Sequence, residues 1–378
     1  MVVSVHSQLC FAKSTRVILN HSTVRSDSAL HTYIRTREQT MSFRKVMFAA
    51  VTWSLCLFYS VRVLFYIAVQ FFTKPHSKFW VVKKRPYPPQ CLQKHDYGVN
   101  KLITVNGVKL HYVEKGDPSK PLMVLVHGFP EFWFSWRYQL KEFSKDYWVV
   151  AVDMRGYGES DKPNDLNAYR VANMVQDIKE LVTALGRKKF TLVGHDWGAA
   201  ICWDFIAQHM DMLDKYIMMD APSREVAFKL IKSTKEQFKM SWYMFFFQMP
   251  KLPEFFVRMN DLKMFDISLG KYCTPEEVEA FKYTFSKKGA LTPPINYYRA
   301  NFATSSKGSP KPPKDIPHVP GLYLLGEKDF YISKATGKML QERFNNLDFK
   351  IVQGAGHFVQ QHKPDLVNKL MRDFLEKK

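Results

Sequence analysis

The sequence has little that would cross-link it or hold a metal. Its five cysteines (Cys10, Cys56, Cys91, Cys202, Cys273) are odd in number, scattered, and show neither Cys-x-x-Cys nor any metal-ligand spacing. That excludes a disulfide scaffold and argues against a zinc site. Acidic residues are nearly missing from the first 90 positions, where 2 Asp/Glu stand against 13 Lys/Arg. This stretch therefore carries +11 of the formal net charge of +20, and the rest of the chain only +9. A nucleic-acid surface has net charge behind it but no motif; basic flanks around an apolar run point to a membrane instead. One N-x-S/T sequon is present, Asn20-His21-Ser22. Apolar material is not lacking: 46% hydrophobic and 15% aromatic residues in 378 exclude global disorder and allow one large domain with attachments, or two.

Residues 1–45 are rich in Ser, Thr and His without a sustained period and read as a disordered basic tail. The run Val46–Phe72 is longer than the roughly 20 residues a membrane-spanning helix needs, and is expected to be a single-pass anchor. It is apolar on every face and lies far from the N-terminus, which weakens the readings as a buried core helix or a cleaved signal peptide. One charge interrupts it: Arg62 would cost about 3 kcal/mol at the bilayer centre, which the surrounding Leu, Phe and Ile offset. Four Lys/Arg precede the run closely and five follow it, favouring a cytosolic C-terminal side. Residues 73–95, with Pro86, Pro88 and Pro89, read as a linker.

From there on, short apolar runs alternate with amphipathic stretches, the signature of an α/β sheet. Strands are expected at Lys101–Val105 and Val108–Glu114, joined by the hairpin signal Asn106-Gly107. Further ones are expected at Leu122–Val126, Trp148–Val152, Phe190–Val193, Tyr216–Met219, Leu322–Leu325 and Phe349–Val352. Their continuous apolar character suits a mostly parallel central sheet with helices on both faces; Val171–Leu185 and Ala199–His209 are two such helices. The sheet is assigned to residues 96–221 and 314–378, and the aromatic- and Met-rich stretch 222–313 to an inserted helical cap.

The chemistry gathers at strand ends. Gly194-His195-Asp196-Trp197-Gly198 follows one strand and precedes a helix, the context of a nucleophile elbow, with a carboxylate where serine hydrolases have Ser. The loop His127-Gly128-Phe129-Pro130 follows another strand; the backbone N–H groups of Phe129 and Trp197 are nominated as the oxyanion hole, and His127 as a structural loop residue. A peptide bond preceding Pro130 is open to the cis form. Gly326-Glu327-Lys328-Asp329 and Gly354-Ala355-Gly356-His357 end the last two strands. The chain order nucleophile, acid, His makes His357 the general base and Asp329 its orienting acid, with Asp220 as the competing acid.

The segments HGFPEFWFSWRYQL, DMRGYGESDKP, GHDWGAA, GEKDF and GAGHFVQQHKPDLVNKL resemble the epoxide hydrolases of the α/β-hydrolase superfamily, in particular the animal subgroup with an N-terminal membrane anchor. The resemblance covers about residues 96–378. It implies two cap tyrosines that activate the epoxide, Tyr243 in SWYMFFFQMP and Tyr298 in PPINYYRANF, with Tyr297 the less favoured neighbour. It also implies no cofactor or metal, and a covalent Asp196 ester hydrolysed by His357-activated water to a vicinal diol. The aromatic cap suggests lipophilic epoxides, fatty-acid-derived ones included, and its 16 basic against 9 acidic residues between Pro222 and Pro320 suit an anionic lipid surface. The expected setting is the endoplasmic reticulum membrane with the catalytic domain in the cytosol. Two other readings share the fold: a dehalogenase, for which Trp197 would bind halide, and a catalytically inactive membrane-tethered binding protein.

Overall fold

The computed structural model describes residues 23–74, 78–302, 319–344 and 346–377. Cys10, the sequon at Asn20 and the expected cap boundary at 313 lie outside these residues. Two compact units divide at Ser54/Leu55.

The helix α1 runs from Thr23 to Thr73. Residues 23–45, expected within a disordered tail, are thus helical. No glycine or proline occurs in the sequence before Pro75, so nothing local breaks the helix until the chain reaches that proline. Its stretch Ala49–Thr73 is long and apolar enough to cross a membrane. In the second unit, Leu55–Lys378, this stretch is two-faced. Cys56, Ser60 and Val63 are buried, while Val61, Leu64, Phe65 and Phe72 are exposed.

Eight strands form one sheet: β1 (Val99–Val105), β2 (Val108–Lys115), β3 (Leu122–Val126), β4 (Trp148–Val152), β5 (Phe190–His195), β6 (Leu213–Met219), β7 (Gly321–Gly326) and β8 (Leu347–Val352). Their order is β1-β2-β4-β3-β5-β6-β7-β8. The strand β2 is antiparallel to β1 and β4; the remaining pairs are parallel. Every expected strand is present, and the differences lie at their ends. β5 continues to His195 because Gly194 and His195 still find partners in Met218 and Met219. The hairpin turn is Asn106-Gly107, with φ of 46° and 71°, the positive values a two-residue turn of this kind demands. All residues of β3, β4, β5 and β7 are buried, as strands covered on both faces must be.

The covering helices are α3 (Arg137–Phe143), α4 (Val171–Ala184), α5 (Trp197–His209), α12 (Ala335–Arg343) and α14 (Pro364–Leu375), with two single-turn helices, α2 (Gln90–Gln93) and α13 (Val359–His362). Between β6 and β7 the described chain forms α6 (Arg224–Ser233), α7 (Lys235–Met240), α8 (Trp242–Phe246), α9 (Leu252–Leu269), α10 (Pro275–Ser286) and α11 (Thr292–Asn301). These are the helical cap. Thr274 and Glu277 form a reciprocal capping box that starts α10. The Glu277 side chain also accepts from the fully buried Arg137 at 2.6 Å, which ties the cap to the sheet layer.

Of residues 73–95, expected as a linker, 78–95 lie along the cap as a strap. The cap helix α9 is interrupted at Met259–Leu262, where Asn260, Asp261 and Leu262 adopt φ of 51°, 58° and 60°. The strap docks on that break. Asn260 N–H donates to the Phe79 carbonyl at 2.6 Å, and the Arg85 fork donates to both Asp261 oxygens at 2.7 and 2.8 Å. A third bond runs from Arg85 Nε to Glu279 at 2.6 Å. With its side chain only 5% exposed, Arg85 needs these carboxylates. Replacing Arg85 by Ala takes the cation from Asp261, leaving it the Lys83 N–H at 3.0 Å, and should cost about 2 kcal/mol, less than for a fully buried pair because Glu279 faces solvent. Denaturant unfolding of the full-length chain in detergent measures this; a loss below about 0.5 kcal/mol would mean the strap is not held by this fork.

Candidate active site

Because β3, β5, β6, β7 and β8 are parallel neighbours, their C-terminal ends line one edge of the sheet, where ligands of open α/β sheets bind. The loop 127–130, Asp196, Asp220, Asp329 and His357 each follow one of these strands directly or within a few residues.

Asp196 stands between β5 and α5 with φ of 49° and ψ of −120°, a strained conformation for a residue with a side chain. The neighbourhood leaves it no room to relax. A Cβ at Gly198 would lie 2.1 Å from the Val126 carbonyl oxygen, and one at Gly128 would lie 2.4 Å from the Asp196 Cβ. These glycines let the loop after β3 close onto the elbow. The Phe129 N–H then donates to Asp196 Oδ1 at 2.7 Å, and the Phe129–Pro130 peptide is cis. Of the two expected oxyanion donors, Phe129 bonds this carboxylate, whereas no such bond from Trp197 is formed among the described residues; Trp197 opens α5 immediately after Asp196. His127 is neutral through burial, donates from Nδ1 to the Gly128 carbonyl at 2.9 Å, and accepts the Met154 N–H at Nε2. It holds the loop.

His357 lies between two carboxylates. Its Nε2 is 3.3 Å from Asp196 Oδ2 and its Nδ1 is 2.8 Å from Asp329 Oδ2. Burial opposes the charged imidazolium, but the charge of Asp329 and the bonds from Asp196 and Asp329 outweigh it and hold the His357 pKa well above its ordinary value. Asp329 keeps its charge despite burial, because His357 and the Tyr331 N–H, which donates to Oδ1 at 2.6 Å, hold its pKa down. Asp220 goes the other way. Its burial and the neighbouring Asp329 charge push its pKa well above the carboxylate range, and its Oδ1 accepts from Gly326 N–H at 2.8 Å. Of the two acids, Asp329 is the one that bonds His357. Asp220, Asp329 and His357 also form a group close enough to hold a metal ion, and the His357–Asp329 hydrogen bond accounts for the closeness of that pair.

Residues 121–364 match the family described as the alpha/beta hydrolase fold. The chain is 40% identical over 306 residues to epoxide hydrolase 3 of Xenopus tropicalis, covering 77% of this chain and 82% of that protein. It is 39% identical to epoxide hydrolase 4 of Homo sapiens, covering 77% and 83%. The chain belongs to the epoxide hydrolases of the alpha/beta hydrolase fold. A crystal structure of the Bacillus megaterium epoxide hydrolase in complex with an inhibitor superposes with a TM-score of 0.68 at 32% identity, covering 73% of this chain and all of that one.

The cap of this epoxide hydrolase brings Tyr243 of α8 and Tyr298 of α11 to a cavity of about 1330 Å³, which they line together with Phe129, Asp196 and His357. The two rings meet edge to face at 5.8 Å. Burial, reinforced by the Asp196 charge, raises both phenol pKa values well above 10, so each is a neutral hydrogen-bond donor. Tyr297 is committed elsewhere: its hydroxyl donates to the Arg155 carbonyl at 2.7 Å.

Two residues of the site escaped the sequence reading. Glu131, one residue past Pro130, is fully buried. Its Oε2 accepts the Gly128 N–H and faces His195 Nδ1 at 2.6 Å, and its Oε1 accepts from Gln360 and Gln361. Although burial alone would raise its pKa, His195 and the Gly128 N–H hold it at about 2. A single acid inside the aromatic run HGFPEFWFSW was the available signal. Tyr331, whose ring is 4.9 Å from His357 and 5.4 Å from Tyr243, had none beyond its closeness to Asp329.

Since Asp196 contributes both a bond and a charge to the raised His357 pKa, Asp196→Asn should lower it. Imidazole ¹⁵N shifts followed against pH test this; an unchanged or higher pKa in the variant would sever the coupling.

Proposed function

We propose that this enzyme opens lipophilic epoxides through a covalent ester on Asp196 and releases vicinal diols. The observation that carries this reading is the position of Asp196. One oxygen bonds the Phe129 N–H, the other meets His357, and the carboxylate shares a cavity with two neutral tyrosines.

In the first step Asp196 Oδ attacks a ring carbon, forming the ester bond as the ring carbon–oxygen bond breaks, and the departing oxygen takes a proton from Tyr243 or Tyr298. The proton on His357 then restores the tyrosine. Esterification removes the Asp196 charge that helped hold that proton, so the same event that forms the ester turns His357 into a base. Neutral His357, oriented by Asp329, next takes a proton from water as it adds to the ester carbonyl, and the N–H groups of Phe129 and Trp197 receive the oxyanion. Collapse gives the diol oxygen the second water proton and returns Asp196 and His357 to their starting charges. The aromatic lining from Phe129, Trp242, Phe247 and Phe256 suits long apolar substrates, fatty-acid epoxides among them.

A single turnover with enzyme in excess in ¹⁸O-water should give largely unlabelled diol and a labelled Asp196 peptide. His357→Gln should accumulate the substrate adduct on that peptide, and changing both Tyr243 and Tyr298 to Phe should abolish ester formation. Fully labelled first-turnover diol without an adduct would mean that water attacks the epoxide directly.

We further infer that Ala49–Thr73 anchors the enzyme as a single pass in the endoplasmic reticulum membrane. Its exposed apolar side chains lie in lipid, and the catalytic part faces the cytosol. Protease added to sealed microsomes should digest the catalytic part; its protection would reverse the orientation.

A further inference from the structure

The phenol of Tyr243 shares a cavity with Asp196, yet the helices that carry it are short. α7 has six residues and α8 five, and helices of that length do not hold their shape in water without tertiary support. A tie of the required kind is present. Gln237, on α7, is 5% exposed, and both ends of its side-chain amide are used on the loop that follows β7. Its Nε2 donates to the Tyr331 carbonyl at 2.7 Å, and its Oε1 accepts the Ser333 N–H at 2.9 Å. Nε2 also donates to Ser241 Oγ at 3.2 Å, on the residue directly before α8. Beside it, Glu236 accepts from the Ser333 hydroxyl at 2.8 Å.

The far end of this tie leads to the base. Asp329 Oδ1 accepts the N–H groups of Tyr331 and Ile332 at 2.6 and 3.1 Å, while its Oδ2 holds His357 Nδ1 at 2.8 Å. The backbone of Tyr331 is thus held from two sides, by Asp329 through its N–H and by Gln237 of the cap through its carbonyl. Its ring stands between the two groups that move protons, 4.9 Å from the His357 imidazole and 5.4 Å from the Tyr243 ring. Among the described residues it is the one ring in contact with both.

We propose that Gln237 is a positioning residue for both chemical steps: its amide fixes the cap segment carrying Tyr243 to the loop carrying Asp329, and the Tyr331 ring passes that spacing on to His357. The two bonds need a donor and an acceptor on one planar group, which an amide supplies and a hydrocarbon side chain does not. Without it the Tyr331 carbonyl and the buried Ser333 N–H lose their partner, and the cap segment is free to shift against the loop. This rests on the epoxide-opening reading of Tyr243, Asp196 and His357 above and adds to it what sets the distance between the acid of the first step and the base of the second.

The test uses the full-length enzyme in nonionic detergent micelles with styrene oxide. Formation and hydrolysis of the ester are followed separately by rapid quench and mass spectrometry of the Asp196 peptide, per mole of folded enzyme. Gln237→Leu should slow both steps about tenfold, so that kcat falls while KM stays within about twofold. Gln237→Asn, whose amide is one methylene short, should restore part of the loss. Tyr331→Ala should slow both steps as well, and combining it with Gln237→Leu should be no slower than the slower single change, because residues acting along one path do not add. Arg85→Ala, which loosens the cap at the strap, should lower stability while both rate constants stay within about twofold. Unchanged rate constants in Gln237→Leu would overturn the proposal, as would slowing confined to one step, losses that multiply in the double variant, or equal slowing by Arg85→Ala. If Gln237→Leu fails to fold, rate constants in Gln237→Asn equal to those of the unaltered enzyme overturn it. An unaltered enzyme that forms no ester on Asp196 removes the epoxide chemistry itself, a failure distinct from a change in its rates.

Discussion

Asp196 occupies a left-handed backbone position at the point where β5 becomes α5, and the surrounding structure is built to keep it there. Strain of this kind costs on the order of 1–3 kcal/mol and persists only where packing over-determines it. Here the packing comes from opposite directions: Gly198 lies against the Val126 carbonyl and Gly128 against the Asp196 side chain, both too close for a Cβ. Glu131 then binds the Gly128 N–H, His195 and the two glutamines of α13, so one buried carboxylate joins the loop after β3, the elbow and the segment that follows His357. The geometry at the nucleophile thus depends on contacts among three strand ends.

The electrostatics follow from that crowding. Three carboxyl groups and one imidazole share a buried space, and they cannot all be charged at once. His357, its pKa held well up, stands between Asp196 and Asp329, and while contact with His357 holds the pKa of Asp329 down, burial and the Asp329 charge push that of Asp220 up. Burial works against the charges of His357 and Asp329 alone, and it is their mutual contact that sustains them. Removing the charge of Asp196 by esterification changes the balance for His357 while Asp329 remains in place to orient it.

The cap and the strap belong to the same construction. Arg137 fixes α10 to the sheet layer, and Arg85 fixes the strap to the break in α9. The strap connects directly to α1, whose face from Cys56 to Tyr66 packs on the cap. Segments that a linear reading separates into linker and cap are therefore packed on one another.

Much of this was legible in the order of residues alone. Strands announce themselves through short apolar runs ending in turn residues, and because parallel strands place their C-terminal ends together, Asp196, Asp329 and His357 could be assigned to one site before any distance was known. The long-range choices could not be made that way. Asp220 and Asp329 both follow buried strands, and only the position of His357 Nδ1 selects Asp329. Tyr297 and Tyr298 are adjacent, but successive residues on a helix point about 100° apart, so one hydroxyl is spent on the Arg155 carbonyl and the other ring faces the cavity. Glu131 and Tyr331 acquire their roles from neighbours more than twenty residues away, and the covered face of α1 exists only because the cap is there to cover it. Local chemistry sets which segment forms which element, whereas the partner of a buried charge is decided by what the completed fold brings within hydrogen-bond reach.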